Sequence, residues 1–366
     1  MEAISEFSVV VPQNKFLSFI IIDATMLRSG GFKEGLTLLD LIIGRKNAPA
    51  GFLILVLVVQ LFCSDVDAAE KIRLAVPDIG GQFATFPLAQ SRGFLKQEGL
   101  DAEIILIRGN IALAAVAGGN VDYTVGIPQG VRGALLGLPL KIVACFEPLS
   151  TLMLLTLPKI KSVAELRGKT IAVGAVGGAP TRLARMILKQ FKVNPDREIT
   201  FLAVGTAQAR VALMKQGLAD AAMVPPPFDF EGRKLGYTVL TKTYEVLSFP
   251  QSGLTIHAKR LKEKPDEIKR MIRAGIKANQ YLQTNREGSI KFLMEWQRGS
   301  AEIATATYDS VWRVYNSDGN IPMDGLNLVI QDTKELIDLK RDVSLDDLVD
   351  LTALRQAQAD LGIKGK

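Results

Sequence analysis

The chain has 366 residues, of which 48% are hydrophobic and 22% charged, with a formal net charge of +6, one histidine and two cysteines. The lysines and arginines are scattered through helical segments without basic runs or interleaved aromatics, which argues against a nucleic-acid partner. Cys63 falls in a leader-like stretch, so the rest of the chain keeps only Cys145 and has no intramolecular disulfide, no cysteine metal site and no expected cofactor.

Residues 1–44 contain an apolar patch, Phe16 to Ile22, but no strand–helix pattern. They read as an over-long N-terminal extension, with the true start further on, near Met26. Residues 45–68 have the layout of a secretory signal peptide: Arg45-Lys46, the apolar run Phe52 to Val59, and the small-residue pattern Val66-Asp67-Ala68. The run is shorter than the ~20 apolar residues that span a bilayer comfortably. The bulky Phe62 ahead of Cys63 speaks against lipidation. A mature periplasmic chain beginning near Ala69 is expected; an uncleaved membrane anchor is the alternative.

Beyond the leader the sequence is α/β. Lys71 to Val76 reads as a buried strand, followed by the loop Pro77 to Phe83, a helix through Pro87 to Gln97, and a strand Ala102 to Ile107. A short helix with a glycine stop, an Asp and a short apolar strand then follow, over Ile111 to Val125. The same phrase recurs over Val211 to Val224, behind a strand Lys169 to Val173, a loop Val176 to Thr181, a helix Arg182 to Phe191 and a strand Ile199 to Val204. Both halves read β-α-β-α-β, which implies parallel sheets and two lobes with a cleft between them. The glycines fit helix C′ positions, where the left-handed backbone is cheapest. After Lys264 the pattern is helical, opened by Pro265-Asp266-Glu267.

Two phrases carry a family resemblance. Gly93-Phe94-Leu95-Lys96-Gln97-Glu98-Gly99-Leu100-Asp101 and Ser162-Val163-Ala164-Glu165-Leu166-Arg167-Gly168-Lys169-Thr170-Ile171-Ala172-Val173 resemble segments of ABC-transporter solute-binding proteins of the nitrate/sulfonate/taurine type, grouped with the thiamine-pyrimidine (NMT1/THI5-like) proteins. The resemblance covers roughly residues 70–300. It implies a type II periplasmic-binding-protein fold: two βαβ lobes joined by two crossover strands, with C-terminal helices. Residues 69–154 would begin lobe 1, 155–246 form lobe 2, and 247–366 return to lobe 1 and supply the C-terminal helices. The partners implied are a small anionic organic ligand, an ABC permease and its ATPase, with the protein a monomer that meets the membrane only through the permease or an uncleaved leader.

In open parallel sheets ligands bind beyond the carboxyl ends of the strands. The loops there offer Gln82, Phe83, Asn110, Pro128, Gln129, Gly178, Thr181, Thr206, Pro226 and Phe228 as ligand-binding candidates. Several open helices, whose free N–H groups and dipoles favour anions. Each candidate also has a structural reading: Asn110 and Thr206 as helix caps, Gly178 and Thr181 as a tight turn, Pro226 and Phe228 as a stiff wall, Phe83 as core. The nearby charges are Asp78, Arg108, Arg132, Arg182 and Asp229, none obviously placed for a bidentate clamp. The apolar loop content favours an organic anion, such as a sulfonate or carboxylate, over bare nitrate.

Catalysis is not expected. The family includes a thiamine-pyrimidine synthase with a sacrificial histidine and a cysteine-rich stretch, but this chain offers only His257 and no cysteine cluster. Gly177-Gly178 lacks the Lys-Ser/Thr of a phosphate-binding loop. A thiamine-pyrimidine-precursor binder or synthase-type member, a TRAP-type solute receptor and the sensing domain of a transcription regulator are the other readings.

Overall fold

A computed structural model describes residues 69–364 except 108, 176 and 177, and describes the backbone but not the side chains of 109 and 110. The expected extension and signal peptide lie outside the described residues.

The described residues supply ten strands: β1 (Glu70–Val76), β2 (Leu100–Leu106), β3 (Tyr123–Gly126), β4 (Leu140–Glu147), β5 (Met153–Thr156), β6 (Lys169–Val173), β7 (Ile199–Ala203), β8 (Ala221–Val224), β9 (Thr238–Lys242) and β10 (Ser252–His257). They form two five-stranded sheets, in the orders β2-β1-β3-β10-β4 and β7-β6-β8-β5-β9. In each, the first three strands are parallel. A fourth, antiparallel strand is inserted beside them: β10 in the first sheet, β5 in the second. The chain passes between the sheets twice, through residues 148–152 from β4 to β5 and 243–251 from β9 to β10. Gly126 at the end of β3 pairs with Ser252 at the start of β10, and Val224 at the end of β8 pairs with Met153 at the start of β5. Both sheets therefore turn the carboxyl ends of their parallel strands toward the crossings.

The helices of the first lobe are α1 (Thr85–Ser91), α2 (Phe94–Gln97), α3 (Gly109–Ala117) and α4 (Ile127–Leu135); those of the second are α5 (Ala179–Gln190), α6 (Ala207–Lys215), α7 (Phe228–Lys234) and the single turn α8 (Thr243–Val246). One helix was expected through Pro87 to Gln97, and two are found. They are divided at Gly93, whose φ of +74° breaks the helical path at little steric cost. The C-terminal set comprises α9 (Arg260–Glu263), α10 (Pro265–Thr284), α11 (Arg286–Gln297), α12 (Ala301–Val311), α13 (Met323–Leu336), α14 (Leu345–Leu348) and α15 (Thr352–Asp360).

The repeated phrase has a structural meaning. Gly119 and Gly217 close α3 and α6 with φ of +73° and +71°. The aspartates that follow brace the first strand of their own lobes: Arg73 N–H donates to Asp122 Oδ2 at 2.7 Å, and Thr170 N–H to Asp220 Oδ2 at 3.1 Å. The two braces fix the register of the halves, matching Asp122 to Asp220 and Gly109 to Ala207. The sequence pairing of Ile111 with Val211 is thus two residues out of step, because Ile111 is the third residue of α3 and Val211 the fifth of α6.

One apolar core joins the first sheet to α1, α10 and α12, with Phe86 set edge-on to Phe146 at 5.2 Å between ring centres. Another spans both lobes: Ile127, Val131 and Cys145 of the first and Leu154, Ile171 and Leu183 of the second meet Leu326 and Val329 of α13. On the same helix Asp332 and Thr333 receive Arg182 from α5. Helix α13 thus ties the two lobes together behind the crossings.

The phrase Gly93–Asp101 packs against this frame through Glu98, which is buried and accepts from Arg273 and Lys277 of α10. Burial pushes its carboxyl up, but the two basic partners outweigh that and hold it below the usual range. Arg273 keeps Asp360 and both bases are partly exposed, so losing the carboxylate costs its charged hydrogen bonds, about 1.5–3 kcal/mol. Glu98→Gln is expected to lower unfolding stability by roughly that amount in urea titrations, with an unchanged m-value.

Candidate functional site

The cleft faces of the two lobes are built from different chemistry. On the first lobe, β1 runs into a loop where Asp78 Oδ1 accepts from Gly80 N–H at 2.6 Å and from Gln82 Nε2 at 3.3 Å. Gly81 packs so tightly on α12 that a Cβ there would lie 2.8 Å from Thr307 Cγ2, and its carbonyl takes the Tyr315 hydroxyl. Helix α4 starts directly from β3, with Pro128 in its first turn and the Gln129 side chain folded back over Gly126. Beside them β4 ends at Glu147, whose carbonyl accepts from Gln251 N–H at 2.9 Å. Gln251 O in turn accepts from Ile127 N–H at 3.2 Å, so α4, β4 and the returning crossing meet at one point.

Glu147 is fully buried, and apart from the Thr151 side chain its carboxylate has no donor among the described residues. Burial first, and the charge of Asp78 second, push its carboxyl well above the usual range; the Thr151 side chain pulls weakly the other way. The surrounding protein also raises Asp78, although the residue is exposed to solvent. The Tyr315 phenol is pushed up by burial and then by the field of Glu147. Oε1 of Gln82, Gln129 and Gln251 are likewise buried without a donor among the described residues, and Arg132 Nε and the hydroxyls of Thr255 and Thr307 are buried without a partner.

On the second lobe, β6 ends at Gly174, after which Gly178 leads into α5. Thr181 is buried in the first turn of α5, and its hydroxyl donates to Ala175 O at 2.9 Å. Thr206 caps α6, its hydroxyl accepting from Ala209 N–H at 3.2 Å. One turn into that helix stands Arg210, 4% exposed, with Nε and Nη1 lacking any acceptor among the described residues. Its guanidinium lies over the end of β6: a Cβ on Gly174 would be 3.4 Å from Nη1. Burial alone lowers its pKa to about 10. A cation thus sits beside the N-termini of two helices, and their dipoles add to the same positive field. Val224 at the end of β8 continues into Pro225-Pro226-Pro227, with the Pro226–Pro227 bond cis, and Phe228 opens α7.

The lips of the two lobes touch. Lys234 of α7 reaches Glu302 of α12 at 2.7 Å, and Ser310 Oγ donates to Asp229 Oδ2 at 3.4 Å.

The structure places Gln82 in the loop after β1 and Pro128 and Gln129 in the first turn of α4; Gly178, Thr206 and Pro226 lie in loops of the second lobe, with Thr181 and Phe228 in the first turns of α5 and α7. Phe83 is 6% exposed and belongs to the first core, so it supports the loop from below. Helix α3 begins at Gly109, which puts Asn110 inside the first turn rather than ahead of it. Among the nearby charges, Arg182 is turned away from the cleft to Asp332 and Thr333, and Asp229 is held by Arg233 and Ser310.

Three functional candidates escaped the sequence: Glu147, Gln251 and Arg210. A signal for Arg210 existed. In the register fixed by the two aspartate braces its counterpart in the first lobe is Ala112, which is fully buried, so a charge stands where the twin position carries a methyl group.

Two sheets with inserted antiparallel strands, joined by two crossings, define the fold of periplasmic binding proteins. The chain belongs to the NMT1/THI5-like family, whose model matches residues 81–288, more than half of its length. No curated protein matches it in sequence. Among solved structures it is similar to the periplasmic aliphatic sulphonate-binding protein SsuA of Escherichia coli, at 20% identity, with a TM-score of 0.65 over 76% of this chain and 91% of that one. It is also similar to the periplasmic nitrate-binding protein NrtA of Synechocystis PCC 6803, at 15% identity, with a TM-score of 0.66 over 80% and 89%. A third is the alkanesulfonate-binding protein SsuA of Xanthomonas axonopodis pv. citri bound to MOPS, at 19% identity, with a TM-score of 0.58 over 79% and 99%. Among the described residues no helix is long and apolar enough to cross a membrane.

A carboxyl whose pKa is raised by folding binds its proton more tightly in the native state. Stability is then lost as pH climbs from the ordinary carboxylate range through the raised value. Glu147→Gln removes that loss while keeping the shape. The ligand-free variant is expected to melt a few degrees above the parent at pH 8, the gap closing as pH falls toward 4 in thermal melts.

Proposed function

We propose that the protein is an extracytoplasmic solute-binding component that captures a small organic anion between its lobes and delivers it to an ABC permease and its ATPase. The observation that carries this reading is Arg210, a buried guanidinium whose Nε and Nη1 have no acceptor among the described residues, placed beside helix N-termini at the strand ends of the second lobe. An unpaired buried charge is costly, and a cleft that keeps one is prepared for an oppositely charged guest. Family membership and likeness to sulfonate- and nitrate-binding proteins support the same class.

Ligand bound to one lobe alone leaves the other wall unsatisfied. The closed state, which satisfies both, is therefore favoured in proportion to the ligand's extra contacts there. The permease would read the closed surface. In this reading the leader exports the chain, and the protein is a binder rather than an enzyme. His257 supports the latter: its Nδ1 accepts from Lys259 N–H at 3.1 Å, a local turn contact suited to holding the chain rather than to chemistry. A TRAP-type receptor would use the same capture step with a different membrane partner.

Arg210→Gln is expected to abolish or weaken by roughly 10–100-fold the binding of whichever anion stabilises the parent most, from a panel of nitrate, alkyl and aromatic sulfonates and aromatic carboxylates. Ligand-free stability should not fall, because a buried unpaired charge has gone. Isothermal calorimetry and thermal melts read the two effects separately, and undiminished affinity would remove Arg210 from the site. The lip contact predicts a smaller effect. Lys234 and Glu302 are both exposed, and such pairs contribute about 0–1 kcal/mol. Glu302→Lys should therefore weaken binding less than roughly tenfold, chiefly through faster ligand release in stopped-flow measurements.

A further inference from the structure

We infer that Arg182 is a positioning residue behind the cleft: its contact with Asp332 and Thr333 of α13 belongs to the closed arrangement of the lobes. It thereby sets what share of the solute-free protein is closed and, through that share, how tightly solute is held. The contact touches no solute. The clasp itself follows from how the lobes are joined, and its effect on capture rests on the solute-capture reading above.

Helix α13 meets the two lobes by different means. Its Leu326 and Val329 share a core with Ile127 and Val131 of α4. Gly325 is set so tightly on the returning crossing that a Cβ there would lie 3.1 Å from Ser248 O and 2.9 Å from Pro250 Cδ. The helix is thus seated on the first lobe and on the hinge. Leu183 of α5 borders the same core, but the directed bonds from α5 are made by long polar side chains. Arg182 Nη2 donates to Thr333 Oγ1 at 3.0 Å and Nε donates to Asp332, while Lys189 Nζ stands 3.7 Å from Glu335. Arg182 is 7% exposed and Thr333 fully buried, whereas Lys189 and Glu335 are exposed and contribute little. The same guanidinium lies 5.9 Å from the ring centre of Phe249, a buried residue of the crossing. One side chain therefore joins the second lobe, α13 and the hinge. Rotation of the second lobe about the crossings carries α5 past α13. Apolar contacts are non-directional and tolerate a slide. A guanidinium divided between a carboxylate and a hydroxyl has a fixed geometry and does not. Arg182 also follows directly on Thr181 in the first turn of α5, so the clasp fixes where that turn stands in the cleft. At the mouth the lobes meet through the exposed Lys234–Glu302 pair and the long Ser310–Asp229 bond of 3.4 Å, weaker contacts than the buried one behind.

Small-angle X-ray scattering of the solute-free protein reads the closed share without any ligand. Asp332→Asn and Arg182→Gln, checked for folding by circular dichroism and melting, should each show a larger radius of gyration than the parent. Arg182→Lys, which keeps the charge but loses the fork, should fall between. Should Arg182→Gln fail to fold, Asp332→Asn, altered at the partly exposed partner, carries the test. Apparent affinity scales with the share of the competent state. In calorimetry with the anion of the panel above that stabilises the parent most, Asp332→Asn should therefore bind about tenfold more weakly. Saturating anion should return its radius to that of the parent complex, which a merely structural contact would not produce. An unchanged solute-free radius in the folded variants overturns the clasp, whether or not any anion binds. A larger radius with undiminished affinity overturns its effect on capture. Binding by no anion of the panel overturns the capture reading and leaves the clasp to be decided by scattering.

Discussion

Neither sheet of this protein is complete without the other lobe's chain. β5 enters the second sheet straight from the first lobe, and β10 returns to fill the gap between β3 and β4. Because the inserted strands run antiparallel to their neighbours, the crossings must leave from the carboxyl ends of the parallel strands. The two sets of strand-end loops are thereby brought to the same place. The cleft follows from this exchange of strands before any side chain is chosen. Helix α13 then fixes the rear of the crossings, with Arg182 on Asp332 and an apolar seam shared by both lobes.

Within that frame the two walls have opposite character. The second lobe offers a cation and helix N-termini; the first offers carboxyl and amide oxygens. Each wall alone is electrostatically unfavourable, since buried charge and unpaired acceptors cost free energy that the rest of the core must offset. Such arrangements are typical of sites that trade resting stability for recognition.

The architecture was legible in the sequence because it is local. Period-two and helical patterns give the strands and helices, and glycines at positive φ such as Gly93, Gly119 and Gly217 mark where helices stop. The phrases that carry the family resemblance mark joints of this kind. Glu98 ties α2 to α10, and Ser162 donates to Glu165 at 2.9 Å ahead of Gly168, whose φ is +72°. They report the fold and contain no cleft residue. The site was less legible because its decisive groups depend on partners far along the chain. Glu147 reads as the polar end of a strand and Arg210 as one residue on the solvent face of an amphipathic helix. Only the folded chain shows that both are buried without a counter-charge. Phe83 illustrates the converse: beside two glycines it suggests a pocket wall, yet its ring is committed to the core.

The single thiol of the described residues has a practical consequence. Cys145 sits in the seam between β4 and α13, wholly buried, with burial and the nearby Glu147 charge pushing its ionisation far upward. A thiol that neither ionises nor meets solvent is inert to alkylating dyes in the native state. The described residues therefore present no thiol at the surface. A cysteine engineered on either lip would be the sole attachment point there for a fluorophore, turning opening and closing of the lobes into an optical signal without removing any native residue from the core.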